Sequence, residues 1–383
     1  MKAYRDWVWQ LIGMLLFSIL MFFIYKPSSP LENLALIPTE SPQKPDHFSD
    51  ALQSITDQDL DSAINSLMSA LESVSEDTEV LYLLGLIFSV TDPDRSPGYL
   101  GLAAAIDPEY QTNARSMIAA IQTAGLAESP SYQQMQIGQT LGGISNWPLA
   151  FAAFSNAVTL DPDYAEAWAY LGMSQMQLQQ DSSQALLTAL ELDSNSITAN
   201  IFYAQYLEQN GEPEKGLPYI HTALELEPGN ISLIHETGYY NARMGNLIEA
   251  YSYFEEVLIL EPEQFDSWHQ LANFCINYEY NVAEIGLPAA RQAFMLFPND
   301  PEGLVLLGRA YSLIGNPTMG IKLIKETLQM SPKDINALYY MGLINISLGN
   351  FAEAESYFLQ VIANTSDQSI ITKVQSLLDT FIP

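Results

Sequence analysis

The stretch that decides the fold runs from Ile231 to Gln264 and reads ISLIHETGYYNARMGNLIEAYSYFEEVLILEPEQ. It contains two apolar patterns of helical period, separated by a Gly-Asn pair. The first pattern carries a large residue, Ile234, and a small residue, Gly238, one turn later. Large and small residues on facing stripes let two helices approach closely, so the stretch predicts an antiparallel helical hairpin. Pro262 cannot continue a helix and therefore ends the second one.

The same unit recurs along the chain at nearly constant length. Successive unit ends are 32, 34, 34, 36, 34 and 34 residues apart. The residues that mark these ends are Pro162, Ser194, Pro228, Pro262, Pro298, Pro332 and Ser366. The small residue of the first helix recurs as Gly138, Gly172, Ala204, Gly238, Ala272, Gly308 and Gly342. A repeat of this kind predicts a solenoid, in which each unit packs against its neighbours.

Two repeats open with a recognisable motif, WAYLG from Trp168 to Gly172 and WHQLA from Trp268 to Ala272. Both match the W-x-x-L-G opening of the tetratricopeptide repeat, so the chain resembles tetratricopeptide repeat proteins of the membrane-anchored bacterial type. The expected fold is all-α, an α-solenoid of antiparallel helix hairpins in a superhelix, preceded by one transmembrane helix. The resemblance implies a scaffold rather than an enzyme.

The chain is predicted to divide into six segments. They are a cytoplasmic tail at 1–6, a transmembrane anchor at 7–25, a proline-rich linker at 26–46, irregular repeats with an extra helix at 47–130, seven repeats at 131–368 and a capping helix at 369–383. The stretch between Pro108 and Pro130 is open to two interpretations, a single added helix or a joint between a short arm and the main array.

The anchor is predicted from an uninterrupted apolar run. Residues 7–25 contain no charge, and 19 residues of helix would extend about 28 Å, close to the thickness of a bilayer's hydrocarbon core. Trp7, Trp9 and Tyr25 stand at the ends of the run, as interfacial aromatic residues do. A cleaved signal peptide is the alternative, but no small-x-small cleavage site follows. Lys2 and Arg5 precede the run, which favours a single-pass protein with extracytoplasmic repeats.

Composition argues against several classes of function. Acidic residues outnumber basic ones 45 to 14, and a net charge of −31 disfavours binding to nucleic acid. The sequence contains no phosphate-binding loop, no dinucleotide-binding glycine motif, no serine-nucleophile elbow and no H-E-x-x-H motif. Cys275 is the single cysteine, which excludes internal disulfides and cysteine-cluster zinc sites. No cofactor or metal is therefore expected.

The resemblance places the binding surface on the concave face, which the first helices line in this family. The exposed stripe is expected one residue after each large anchor and one after each small residue. The partner-binding groove is therefore predicted to contain Gln139, Met173, Gln205, His235, Tyr239, His269, Asn273 and Arg309. Arg309 is the only base on the stripe, so we expect it to contact a carboxylate or a backbone carbonyl of the partner. The alternative for each residue is packing between neighbouring repeats.

Three interpretations of function follow. The favoured one is a non-enzymatic membrane-anchored scaffold that binds an extended peptide or a helix of a protein partner, in envelope protein assembly or complex formation. The alternative is a cytoplasm-facing adaptor that regulates a membrane protease or synthase. The third is an enzyme with an appended repeat array, for which no residues remain to form a catalytic domain. The sequence does not indicate the oligomeric state.

Overall fold

The computed structural model describes residues 46–74, 76–127 and 129–381. These residues form twenty α-helices and no β-strand, divided into one compact unit up to Leu226 and a second from Glu227 onward. Nearly every helix packs against the next in sequence as one arm of a hairpin. The prediction of an all-α solenoid of helix hairpins is confirmed for this part of the chain.

The first unit contains eleven helices within its described residues. They are α1 (Asp46–Thr56), α2 (Leu60–Ser73), α3 (Thr78–Thr91), α4 (Ser96–Ile106), α5 (Gln111–Gly125), α6 (Pro130–Gly143), α7 (Trp147–Leu160), α8 (Ala165–Gln177), α9 (Ser183–Leu192), α10 (Ile197–Gln209) and α11 (Pro213–Leu226). A short 3₁₀ turn, Pro108–Tyr110, precedes α5. Helix α5 stands alone between hairpins and packs against both α4 and α6.

The second unit contains the remaining nine helices. They are α12 (Ile231–Arg243), α13 (Leu247–Leu260), α14 (Phe265–Asn277), α15 (Leu287–Leu296), α16 (Pro301–Leu313), α17 (Pro317–Met330), α18 (Ile335–Ser347), α19 (Phe351–Asn364) and α20 (Gln368–Phe381). A π-helical turn, Val282–Gly286, lies between α14 and α15. The last helix, α20, packs against α19 and buries Val374 against the final hairpin.

The small residues of the first helices lie where the two arms of a hairpin touch. A methyl group added at Gly138 would lie 2.5 Å from the ring of Phe154, and one at Gly172 would lie 2.5 Å from Leu186. Only glycine lets the arms approach this closely at these places. In the second unit the aromatic core continues between hairpins, where Phe254 stacks on Phe274 with ring centroids 4.8 Å apart.

The tryptophan and proline of the repeat motif contact each other. The indole N–H of Trp168 donates to the carbonyl oxygen of Pro162 at 2.8 Å, and that of Trp268 donates to Pro262 at the same distance. Each tryptophan therefore ties the start of its own hairpin to the turn that ends the previous one. The pairing gives a physical reason for the six-residue spacing of the two residues.

The helices that the structure describes do not support the predicted membrane anchor. The predicted tail at 1–6, the anchor at 7–25 and all of the linker at 26–46 except Asp46 lie outside the described residues. Within residues 46–381 no helix has the length and apolar character needed to cross a bilayer, which takes about 20 residues, and the helices there have at most 15. The predicted localisation, a single-pass membrane protein with extracytoplasmic repeats, is therefore contradicted, and the transmembrane helix is not supported.

Candidate functional site

A row of side-chain hydrogen bonds crosses the first helices of the second unit. Arg309 of α16 donates from Nη2 to the Asn277 side-chain oxygen at 2.6 Å. Asn277 donates from Nδ2 to the Asn273 oxygen at 2.8 Å, and Asn273 donates to the Tyr239 hydroxyl at 3.4 Å. Tyr239 of α12 donates in turn to the Gln270 side-chain oxygen at 2.7 Å. Every bond points the same way, so polarisation accumulates along the row toward Tyr239.

Three of the predicted groove residues thus belong to one connected arrangement. Tyr239, Asn273 and Arg309 come from α12, α14 and α16, the first helices of three successive hairpins. Neighbouring first helices contact each other within this unit, which brings equivalent positions of adjacent repeats together. The 34-residue repeat therefore places residues far apart in sequence along one face.

Arg309 has the features of a site for an anion. Its guanidinium lies 4.0 Å from the ring centroid of Tyr340 and is half-buried. Burial lowers the pKa of the Arg309 guanidinium from its usual range. No carboxylate of the described residues forms an ion pair with it, and Asn277 is its only side-chain hydrogen-bond acceptor among them. Most of its five N–H donors therefore remain available to a ligand.

Tyr239 and His235 are buried, whereas residues that face an open groove would be exposed. Their exposed fractions are 3% and 6%, and both rings pack on Phe254, at centroid distances of 4.9 and 5.7 Å. Burial lowers the pKa of His235 to about 4, and its Nε2 has no hydrogen-bond partner in the described residues. These two residues hold the hairpin together, and their predicted contact with a partner stays untested.

His269 is half-buried and stacks on Phe265, with ring centroids 5.3 Å apart. Burial lowers the pKa of His269, and the charges of Glu302, Asp300 and Asp266 partly oppose that shift. His269 does not join the hydrogen-bonded row. It lies on the same first helix as Asn273 but outside the arrangement that ends at Arg309.

The predicted groove residues of the first unit do not form a hydrogen-bonded row like that of the second unit. Met173 is 4% exposed and packs in the core. Gln139 is half-buried and accepts a hydrogen bond from the Gln136 amide at 2.9 Å. Gln205 is half-buried with its Nε2 lacking a partner in the described residues. No hydrogen bond links these three residues to one another.

Three further residues complete the Arg309 arrangement and were not predicted from the sequence. Gln270 accepts from Tyr239, Asn277 accepts from Arg309, and Tyr340 supplies a ring beneath the guanidinium. Asn277 carried a usable signal, since it follows Asn273 by four residues and therefore lies on the same helix face. The sequence held no such signal for Tyr340, because its position does not match the stripe that was expected to line the groove.

The described residues contain no group of three or more histidine, cysteine, aspartate or glutamate side chains placed to hold a metal ion. Cys275 is fully buried in the core of the second unit, and burial raises the pKa of its thiol to about 12. A thiol with that pKa is a poor nucleophile at neutral pH. Cys275 therefore packs as a small apolar residue.

The family of the repeat emerges from comparison with known proteins. Residues 335–367 match the model of the tetratricopeptide repeat. That segment is the hairpin of α18 and α19. The search of curated proteins found no match.

Solved structures of other proteins are similar to this chain. A tetratricopeptide repeat protein from Parabacteroides merdae is 16% identical, with a TM-score of 0.53 over 65% of this chain and 98% of its own. Yeast Tom70 is 14% identical, with a TM-score of 0.48 over 90% of each chain. PilW, described as a type IV pilus biogenesis factor, is 16% identical, with a TM-score of 0.47 over 54% of this chain and 96% of its own. At 16% identity, the similarity to the Parabacteroides merdae protein shows the fold alone.

Proposed function

We propose that the protein is a non-enzymatic scaffold that binds a protein partner on the first-helix face of its second unit. The bound element is an extended peptide or a helix, and it lies across α12, α14, α16 and α18. The observation that carries this proposal is the half-buried Arg309, which has no carboxylate partner among the described residues. A chain with 45 acidic residues has many carboxylates available, yet none of those described pairs with this guanidinium.

The surroundings of Arg309 favour an acidic group as its ligand. Tyr340 holds the guanidinium from one side at 4.0 Å, and Asn277 fixes one of its nitrogens. The planar fork is thereby set in one orientation, which suits a carboxylate that accepts two parallel hydrogen bonds. Amide groups of Asn273 and Gln270 continue along the same face and offer hydrogen bonds to a peptide backbone.

The remaining groove residues have supporting roles in this proposal. His235 and Tyr239 keep α12 packed on α13, and His269 borders the row. Gln139, Met173 and Gln205 belong to the first unit and extend the predicted groove there. The absence of catalytic motifs in the sequence supports a binding role.

The test is selection from a phage-displayed library of random peptides against the purified protein. We expect the selected peptides to share an aspartate, a glutamate or a free C-terminal carboxylate at one fixed position. Affinity of the best peptide is then measured by fluorescence anisotropy for the parent and for Arg309→Gln. Loss of a charged hydrogen bond of this kind costs about 1.5–3 kcal/mol, so the affinity should fall by about tenfold or more.

Arg291→Gln is the matched control. Arg291 also hydrogen-bonds a side chain and lies beside a ring, since it contacts the Tyr311 hydroxyl at 2.8 Å and its ring at 5.2 Å. It is carried by α15, a second helix, so its loss should change peptide affinity less than twofold. Equal affinity of the parent and Arg309→Gln for the selected peptides would place the binding surface elsewhere.

A further inference from the structure

Two basic side chains contact a pair of neighbouring tyrosine rings on α18. The guanidinium of Arg309, on α16, lies 4.0 Å from the ring centroid of Tyr340. The ammonium of Lys373, on α20, lies 5.0 Å from the ring centroid of Tyr339. The two rings meet edge to face, with centroids 5.3 Å apart. Helices α16, α18 and α20 therefore contribute to one connected arrangement, and we call these four residues the two-cation site.

Lys373 occupies a position on the last helix that matches the repeat. It follows Tyr339 by 34 residues, the length of most repeats in the chain. Tyr339 itself follows the buried anchor Leu338, which is the place where the sequence predicts the groove. Tyr339 is half-buried and Lys373 is exposed, so a ligand can reach both. Helix α20 therefore extends the first-helix face beyond the final hairpin.

Neither cation has an acidic partner in the described part of the chain. No carboxylate there forms an ion pair with Lys373 or with Arg309. Helix α18 contains no charged residue, and the acids of α16 and α20 are Glu302 and Asp379, seven and six residues away from the bases. In the whole chain, acids outnumber bases 45 to 14. A face with two unpaired cations and so few acids therefore attracts an anionic ligand.

The separation of the two cations limits the kind of segment that can bridge them. The three distances within the two-cation site place Arg309 and Lys373 at most about 14 Å apart, a length that about four extended residues cover at about 3.3–3.6 Å each. The exposed ammonium of Lys373 ends a flexible chain, so the spacing of the groups that it can reach varies. A segment with two acids no more than about four residues apart can therefore contact both cations at once.

We propose that Lys373 provides a second anion-binding position, so that the partner segment carries two carboxylates no more than about four residues apart. Arg309 binds one of them through its planar fork, and Lys373 binds the other as a point charge. Tyr339 and Tyr340 offer aromatic area to the residues between the two acids. This inference rests on the proposed function and narrows its partner from a segment with one acidic group to a segment with two.

The first test repeats the phage selection with the parent, Lys373→Gln and Arg309→Gln. We expect the parent to select peptides with two aspartates or glutamates within about four residues of each other. Lys373→Gln should select peptides that keep one fixed acid, and Arg309→Gln should lose that fixed acid. Peptides from the parent that share only one acid overturn the second position and leave the proposed function standing. Peptides that share no acid overturn both.

A double-mutant cycle then measures the contact with Lys373 by fluorescence anisotropy. The best peptide from the parent carries a fluorescein label, and each of its two acids is replaced in turn by glutamine. Loss of the acid that pairs with Lys373 should weaken binding to the parent by about threefold, the effect of an exposed ion pair, and should hardly change binding to Lys373→Gln. Loss of the acid that pairs with Arg309 should weaken binding to both proteins by about tenfold. The same losses in the parent and in Lys373→Gln at both acids overturn the proposal.

Lys322→Gln is the matched control, since it removes an exposed lysine from a second helix, α17. All affinities are measured at physiological salt, where long-range attraction is screened. Lys322→Gln should keep the parent's dependence on both acids. If Lys322→Gln loses that dependence as Lys373→Gln does, total charge rather than position explains the effect, and the proposal is overturned.

Thermal unfolding checks the fold of each variant. Lys373 is exposed, so Lys373→Gln should unfold close to the parent's temperature. Lys373→Glu supplies a second variant, in which repulsion should make the peptide bind more tightly once its second acid is replaced by glutamine. Weaker binding to Lys373→Glu after that replacement counts against the proposal. The selection with the parent needs no variant, so it decides the number of acids even if a variant fails to fold.

Discussion

Gly138 and Gly238 occupy equivalent places in two hairpins, yet the space beside them differs. A methyl group at Gly138 would lie 2.5 Å from the Phe154 ring, whereas one at Gly238 would lie 3.1 Å from the Phe254 ring. Aromatic rings in a packed core cannot shift far without disturbing their neighbours. A pattern of small residues at equal spacing therefore conceals unequal packing.

We predict that Gly138→Ala lowers the free energy of unfolding by about 1–3 kcal/mol, the usual cost of overpacking. Gly238→Ala should be close to neutral, because the higher helix propensity of alanine, about 1 kcal/mol, offsets a smaller clash. Chemical denaturation measures both. Gly101→Ala is the control, since nothing lies within 4 Å of that position in α4, and it should stabilise slightly. Equal losses at Gly138 and Gly238 would contradict the difference in packing.

Tyr239 contributes to the core of its hairpin as well as to the hydrogen-bonded row. The sequence predicts that Tyr239 lines the groove, but its ring is buried against Phe254. Tyr239→Ala should therefore cost about 3–5 kcal/mol of unfolding free energy, as large-to-small core changes do.

Tyr239→Phe isolates the hydroxyl, which donates to Gln270 at 2.7 Å. We expect Tyr239→Phe to cost about 0.5–1.5 kcal/mol in a urea titration. A loss as large as that of Tyr239→Ala would mean that the hydrogen bonds, rather than the ring, dominate at this position.

At the level of the helix, the first helices of the seven-repeat array end in the same way, although the residue type at the end differs. The chain adopts positive φ just after the helix, at Gly211, Gly245, Gly315 and Gly349 in four hairpins. Gln179 and Glu279 take the same left-handed conformation, with φ of 57° and 50°. Side chains disfavour this region, and glycine does not.

Gln179→Gly should therefore raise the free energy of unfolding by about 0.5–1 kcal/mol, because the native backbone there suits glycine. Gly245→Ala, at φ of 82°, should lower it by about 1 kcal/mol. Both are read from denaturant midpoints. Destabilisation by Gln179→Gly would show that the glutamine side chain contributes more than the strain costs.

For the chain as a whole, the acidic excess predicts a response to salt. Forty-five acids face fourteen bases, so self-repulsion weakens the folded state. Raising sodium chloride from about 20 to about 300 mM shortens the screening length to below about 8 Å. The midpoint of thermal unfolding should then rise by a few degrees. Choline chloride should act equally if screening is the cause, and a fall in the midpoint with either salt would contradict the argument.

The fold can be predicted from the periodic features of the sequence, because the repeat length, the small residues and the terminal prolines each reflect contacts within or between hairpins. The binding face is less predictable. The assumed stripe locates Asn273 and Arg309, which the structure joins through Asn277. It also includes His235 and Tyr239, which are buried because their rings pack on Phe254 of the same hairpin rather than facing outward.

The π-helical turn Val282–Gly286 bears on how such a chain changes length over generations. Two residues inserted inside a helix would rotate everything beyond them by about 200°, turning the buried stripe outward. The repeat between Pro262 and Pro298 is two residues longer than its 34-residue neighbours, and the segment between α14 and α15 contains the surplus. Helix α15 still buries Ala289, Ala290 and Ala293. Codon insertions that fall in this junction leave the downstream hairpins in phase, so the gene can gain length there without turning a buried stripe outward.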